Sequence, residues 1–273
     1  MDERINRVAA LANISAYDRE AGRKYLDAAP HIKHASLRKL YGQLVVQVFD
    51  RAKEHTDIPE VLDLGAGEGS VTIAFLELGA KVTAIDISKS QLDILHSQCE
   101  RFGSMLEIRC QDITDTLQDK SKKYDIIVVN SCLHHVPDYL GLIKEALTML
   151  KPHGQFFSFQ DPLRYDTVGR FTVLFSQLSY ASWRVFKGDV LGGIKRRLRR
   201  SRGIYLPDSM HDNAEYHVTR NGVDQDAIQR LFIEAGFDCD IKSYFSTQSR
   251  FFQPLGTVLG VKNTFGLIAR QRQ

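Results

Sequence analysis

Short, mostly apolar runs alternate along this chain with stretches of helical spacing. Val61 to Leu64, Val82 to Ile85, Ile126 to Val129 and Phe156 to Phe159 have strand length and are rich in β-branched, aliphatic and aromatic residues. The pattern predicts strands over Glu60–Leu64, Lys81–Ile85 closed by Asp86, Met105–Cys110, Tyr124–Asn130, Gln155–Gln160, Asp240–Thr247 and Thr264–Arg270. Helical periodicity covers Ser36 to about Lys53, with Leu37, Leu40, Leu44, Val45, Val48 and Phe49 on one face. It returns from Tyr139 to Leu150 and from Val223 to Ala235, where Gly236 ends the helix as a C-terminal cap. Pro30 to His34 reads as a loop, and Lys151-Pro-His-Gly154 as a turn. Strands alternating with helices in this way predict an α/β chain.

One strand-to-helix junction carries candidate chemistry. The strand ending at Leu64 runs into a turn with glycines at 65, 67 and 69, and an apolar helix pattern follows at once through Val71, Ile73, Phe75 and Leu76. Glycine is needed where a backbone turns sharply and a ligand approaches with no Cβ in the way. The junction therefore reads as a nucleotide-type cofactor site at the first βα crossover of the sheet. A dinucleotide fold would carry G-x-G-x-x-G/A. Here Ser70 takes the final position, the third glycine comes one residue early, and Asp63 stands where it would repel a pyrophosphate and welcome an amino group. Those features argue against an NAD-dependent reductase.

Asp63-Leu-Gly-Ala-Gly-Glu-Gly69 resembles the first motif of the class I S-adenosylmethionine (SAM)-dependent methyltransferases, and later motifs follow in order. Asp86 closes the second strand, where an acidic side chain would accept hydrogen bonds from both ribose hydroxyls, and Ile87 offers an apolar edge for the purine. Asp112-Ile113 follows the third strand, at the place where family members hold the adenine amino group. The fourth strand ends in Asn130-Ser131-Cys-Leu-His-His-Val-Pro-Asp138, which is similar to the motif after strand four in the type 11 group, and Lys-Pro-x-Gly precedes the fifth strand. The resemblance implies a cofactor site built from Asp63, Gly65, Ala66, Gly67, Gly69, Asp86, Ile87, Asp112, Ile113, Asn130 and Ser131, with Tyr17 or Tyr25 over the methionine end.

The fold implied is a Rossmann-like, doubly wound sheet of seven strands, mostly parallel with the last strand antiparallel. Residues 1–55 would be N-terminal helices closing over the cofactor, with His31, Lys33 and His34 able to face the cleft. Residues 56–160 and 222–273 would be the SAM-binding core. Residues 161–221 would be a substrate cap rich in large apolar residues, among them Phe171, Leu174, Leu178, Phe186 and the single tryptophan, Trp183.

Methyl transfer to a hydroxyl needs a base, and His is the side chain poised for it near neutral pH. His135 occupies the family position beside the methyl group, His134 is the adjacent alternative, and His217 in a polar stretch is a rival. Asp161, just past strand five, would supply an acceptor contact or a His partner. Clustered carboxylates followed by an Asn are lacking there, so no metal is expected.

Composition narrows the partners. The 273-residue chain is 43% hydrophobic and 25% charged, with a net charge of +3. No apolar run approaches the ~20 residues of a membrane span, and Met-Asp-Glu-Arg is no signal pattern, so a cytoplasmic protein is expected. The four scattered cysteines form no metal or disulfide pattern. Residues 195–202 carry six positive charges and no acids, a run that would either stay solvated or contact phosphates, a peripheral membrane surface or a macromolecular substrate. The Asn/Asp-Pro-Pro-aromatic motif of base N-methylation is absent after strand four, which disfavours nucleic acid. SAM-dependent O-methylation of a small, partly apolar acceptor, natural-product or lipid-like, is the leading expectation. A methyltransferase of a macromolecular or carrier-bound substrate and a non-catalytic SAM-binding protein are the alternatives.

Overall fold

The computed structural model describes residues 29–187 and 221–272. In chain order the elements are α1 (Pro30–Lys33), α2 (Ala35–Lys53), β1 (Glu60–Leu64), α3 (Ser70–Glu77), β2 (Lys81–Asp86), α4 (Lys89–Cys99), β3 (Leu106–Cys110) and α5 (Ile113–Thr116). They continue as β4 (Tyr124–Asn130), α6 (Tyr139–Leu147), β5 (Leu150–Pro162), α7 (Arg170–Lys187), α8 (Gln225–Glu234), β6 (Phe237–Tyr244), α9 (Phe252–Val258) and β7 (Thr264–Gln271).

The seven strands form one sheet in the order β3-β2-β1-β4-β5-β7-β6. The first five are parallel, and β7 runs antiparallel between β5 and β6. The chain winds outward from β1 in both directions, so β1 and β4 flank the switch point, where ligands bind outside the carboxyl ends of strands.

Strand alternation sorts the core into two layers. Val61, Val82, Ala84, Val128 and Phe157 pack against α2, α3 and α4 on one face. Leu62, Leu64, Ile127, Val129 and Phe156 meet α6 and α8 on the other. Because Asp63 shares the parity of Val61, and Asn130 that of Val128, both fall on the α2 face at the upper edge of the sheet.

The structure corrects several local expectations. Pro30–Lys33 is a helical turn rather than a loop, with Pro at its first position, where the missing N–H costs nothing. Lys151 to Gly154 is not a free turn. It lies inside a longer β5, where His153 takes φ 65° and the β4–β5 register shifts between Tyr124 and Ile126. β6 starts at Phe237, three residues before its expected start, and pairs with β7 as an antiparallel edge, Phe237 opposite Gln271. Helix α9 was not anticipated.

Tyr17, Tyr25, His217 and the basic run 195–202 lie outside the described residues. Of the expected cap, α7 packs Phe175 against Phe245 and Phe252, each with ring centroids 5.3 Å apart. Among the described residues no helix is long and apolar enough to cross a membrane.

Candidate functional site

The glycine turn leaves β1 at the switch point, and its three glycines serve different ends. Gly65, Gly67 and Gly69 all have positive φ. A Cβ on Gly65 would lie 2.8 Å from Cys132 Sγ, and one on Gly69 only 2.2 Å from Leu95 Cδ1. Those two glycines permit close packing with the loop after β4 and with α4. Beside Gly67 the nearest atom among the described residues, Gln91 Oε1, is 4.0 Å away. Open space next to a left-handed glycine is what a ligand approaching the backbone requires.

Asp86 joins the turn to the end of β2. Its Oδ2 accepts from the Gly67 N–H at 2.8 Å, and its Oδ1 accepts from the Ser88 N–H at 2.8 Å. These bonds hold the side chain in place at the end of β2. The Gly65 and Ala66 N–H groups both donate to Ile85 O, which stitches the turn to the strand preceding Asp86 and Ile87. Asp112 is half-buried and caps α5, accepting from Thr114 N–H at 2.7 Å and Thr114 Oγ1 at 2.6 Å, both through Oδ1. Ile113 packs at the edge of the core beside Cys132.

Asp63 is fully buried. Thr72 Oγ1 donates to its Oδ2 at 2.6 Å, while its Oδ1 has no hydrogen-bond partner. Burial pushes its carboxyl up to about 7; the bond from Thr72 opposes that rise, and the charge of Asp86 adds to it. Asn130 is also buried, with Oδ1 unpartnered. Ser131 follows in the left-handed region at φ 51°, its N–H donating to Phe159 O at 2.7 Å.

The loop after β4 meets the end of β5 in a buried pair. Asp161 Oδ1 lies 2.8 Å from His134 Nδ1 and accepts from the His134 backbone N–H at 3.2 Å, while Ser158 Oγ donates to Oδ2 at 2.9 Å. Both residues are buried, Asp161 completely. A break in the β5–β7 register between Ser158 and Asp161, with Gln160 at φ 71°, is what turns this carboxylate toward the loop. The carboxylate thus pairs with His134, not with its neighbour His135, whose ring leans on that of His134 at 4.0 Å. His135 does not cap α6; Asp138 does, accepting from Gly141 N–H.

One side chain registers how closely these groups gather. Cys132, against Gly65, has its thiol raised far above the ordinary value, first by burial and then by the charges of Asp86, Asp161, Asp63 and Asp112. Carboxyls from the ends of β1, β2, β3 and β5 thus all act electrostatically on the loop after β4. Such a site suits a cation and would repel a pyrophosphate.

Comparison with known proteins agrees with the motifs. Residues 61–154, from β1 into β5, match the family model described as a methyltransferase domain. The chain belongs to the class I SAM-dependent methyltransferases. A ubiquinone biosynthesis O-methyltransferase of Actinobacillus pleuropneumoniae serotype 7 is 35% identical over 102 residues, covering 36% of this chain and 44% of that protein. A demethylmenaquinone methyltransferase of Tropheryma whipplei is 32% identical over 163 residues, covering 52% and 66%. The match thus spans less than half the length of the first of these relatives. Magnesium protoporphyrin IX methyltransferase from Synechocystis PCC 6803, solved with bound SAM, shares the fold at 14% identity, a TM-score of 0.55 and 97% coverage of both chains.

The residues of the site fit the cofactor of this family. Among the described residues nothing crowds Gly67, Asp86 stands beside it at the end of β2, and Asp63 and Asn130 each hold a buried oxygen without a partner. Among the described residues no group of three or more His, Cys, Asp or Glu could hold a metal ion. Sequence reasoning passed over Thr72, Tyr41 and Ser158. Tyr41 lies four residues after Leu37 on the buried face of α2, a spacing that marks it; nothing in the sequence marks the other two.

Proposed function

We propose that this methyltransferase transfers the methyl group of SAM to a hydroxyl of a small, partly apolar acceptor. The observation that carries this reading is the buried His134–Asp161 pair at the ends of β4 and β5, beside the glycine turn.

Bound SAM supplies a methyl group already activated by its sulfonium. The chain must then position the acceptor and remove a proton. Asp161 accepts from Nδ1–H of His134, which fixes the tautomer and makes Nε2 the basic nitrogen of the ring. As the oxygen–carbon bond forms and the sulfur–carbon bond breaks, the hydroxyl proton passes to Nε2, and Asp161 stabilises the imidazolium that results. Ser158 and the His134 backbone N–H hold the carboxylate in that orientation. His135 remains as a group that orients the acceptor.

Two observations support the acceptor class. The names of the relatives, ubiquinone and menaquinone methyltransferases, point to a ring-bearing, lipid-like molecule. Helix α7 exposes Phe171, Leu174 and Leu178, apolar surface suited to covering such a molecule. The test is transfer of labelled methyl from SAM to a panel of phenols and amines. Methylated phenols from the wild type and none from His134→Gln support the reading. Amine products that His134→Gln leaves undiminished would replace O-methylation with N-methylation.

A further inference from the structure

The N-terminal turn α1 places an imidazole where no polar group among the described residues answers it. His31 is buried to 3% exposure, and neither Nδ1 nor Nε2 has a hydrogen-bond partner among the described residues. Its ring sits between Tyr41, at 5.6 Å between centroids, and Phe159, at 6.2 Å and edge-on. The placement is anchored from both sides. Lys33 Nζ donates to Gln248 O at 2.7 Å, and His34 Nε2 is bonded to Thr247 O at 2.7 Å, tying the turn to the segment after β6. Burial lowers His31 to about 4, so the ring is neutral near pH 7.

Both flanking rings lead to the cofactor site. Tyr41 donates to Ser70 O at 3.3 Å, at the start of α3, and the Asp63 carboxyl helps raise its phenol. Phe159 is the β-sheet partner of Asn130. Alternation places Asp63, Asn130 and Phe159 on the same face, at the carboxyl ends of adjacent strands β1, β4 and β5, and His31 lies over that face. Three buried polar side chains with unpartnered atoms therefore occupy one edge of the sheet: two oxygens, on Asp63 and Asn130, and the imidazole. A buried polar group without a partner is costly, and native folds keep such groups where a ligand completes them.

We propose that His31 closes a subsite for the amino-acid end of the cofactor, donating to its carboxylate while Asp63 and Asn130 accept from its ammonium. The assignment rests on SAM being the cofactor. It matches charge to chemistry, because the unpartnered oxygens of Asp63 and Asn130 are acceptors suited to an ammonium, and the neutral imidazole can donate to the carboxylate.

The test compares S-adenosylhomocysteine with 5′-methylthioadenosine, which keeps the nucleoside but lacks the amino acid, by calorimetry on the wild type, His31→Leu and His31→Gln. The proposal expects His31→Leu to weaken S-adenosylhomocysteine by about tenfold or more, the scale of a hydrogen bond to a charged group. It expects methylthioadenosine to be unchanged, and His31→Gln to recover part of the loss. It also expects His31→Leu to melt no lower than the wild type without ligand, since two unpartnered nitrogens are removed. Equal weakening of both nucleosides together with a lower Tm would make His31 a packing residue and overturn the proposal. Unchanged affinity for both, with a raised acceptor KM, would move His31 to the acceptor site and overturn it equally. Failure of the wild type to bind S-adenosylhomocysteine at all would instead remove the cofactor reading beneath it.

Discussion

Asp161 holds His134 through Nδ1 at 2.8 Å inside the protein, with Ser158 closing the other carboxylate oxygen. An imidazole fixed in this way can take a proton only at Nε2. His134→Gln and Asp161→Asn should each lower kcat by about 10²–10⁴-fold, the range for a positioned general base. Affinity for S-adenosylhomocysteine should stay within about threefold of the wild type, since neither change touches a cofactor group. His135→Gln should fall mainly on acceptor KM. Steady-state kinetics on the three variants checks this, and a His135→Gln enzyme as impaired in kcat as His134→Gln would shift the base to His135.

Asp63 makes cofactor binding depend on pH. Burial raises its carboxyl to about 7, above the unfolded value of 3.8. The group is thus protonated in the free protein below about 7, and the charged form that pairs with an ammonium prevails above it. Affinity for S-adenosylhomocysteine should therefore strengthen as pH rises towards about 7, by up to about tenfold per unit, and level off above. The stability of the free protein has the opposite sign. Between about 4 and 7 the folded state binds the extra proton, so this group's contribution to stability declines as pH rises. Asp63→Asn should flatten both slopes and weaken binding, as calorimetry and melting across pH would show.

The glycines of the turn separate folding from binding. Gly67→Val should leave a folded protein, strained by about 1–2 kcal/mol for a left-handed residue, that no longer binds S-adenosylhomocysteine. Gly65→Ala should instead lose stability first, because its Cβ would press on Cys132 Sγ at 2.8 Å. Melting temperature and ligand affinity, measured on both variants, should move in different proportions.

Asp86→Ala removes a ribose acceptor and also the partner of two backbone N–H groups, those of Gly67 and Ser88. We expect a loss of about 1–3 kcal/mol in S-adenosylhomocysteine binding together with a lower Tm. Wild-type affinity in this variant would count against the site.

Much of this arrangement was legible in the sequence, for a physical reason. Strands buried on both faces are mostly apolar, so β1, β2 and β4 stand out as runs, and a turn that needs left-handed backbone at three positions has to show its glycines. The edge of the sheet was less legible. β6 begins Phe237-Asp-Cys-Asp, whose partly exposed positions blur the apolar pattern, and its start was set three residues late. The sequence favoured His135 over His134 by its family position, but which of the two pairs with Asp161 could not be read. It depends on the β-bulge before Asp161, where Gln160 takes a left-handed conformation that no glycine announces. His31 likewise sat in what looked like a loop, because Pro30 suggests a break as readily as a first helical turn.

The most direct test of the central claim is isothermal titration of the purified chain with S-adenosylhomocysteine near pH 8, with NAD as the control. The account predicts micromolar binding of S-adenosylhomocysteine and none of NAD. Binding of NAD in its place would mean that the turn at Gly65, Gly67 and Gly69 cradles a pyrophosphate after all, and would contradict the site built on Asp63 and Asp86.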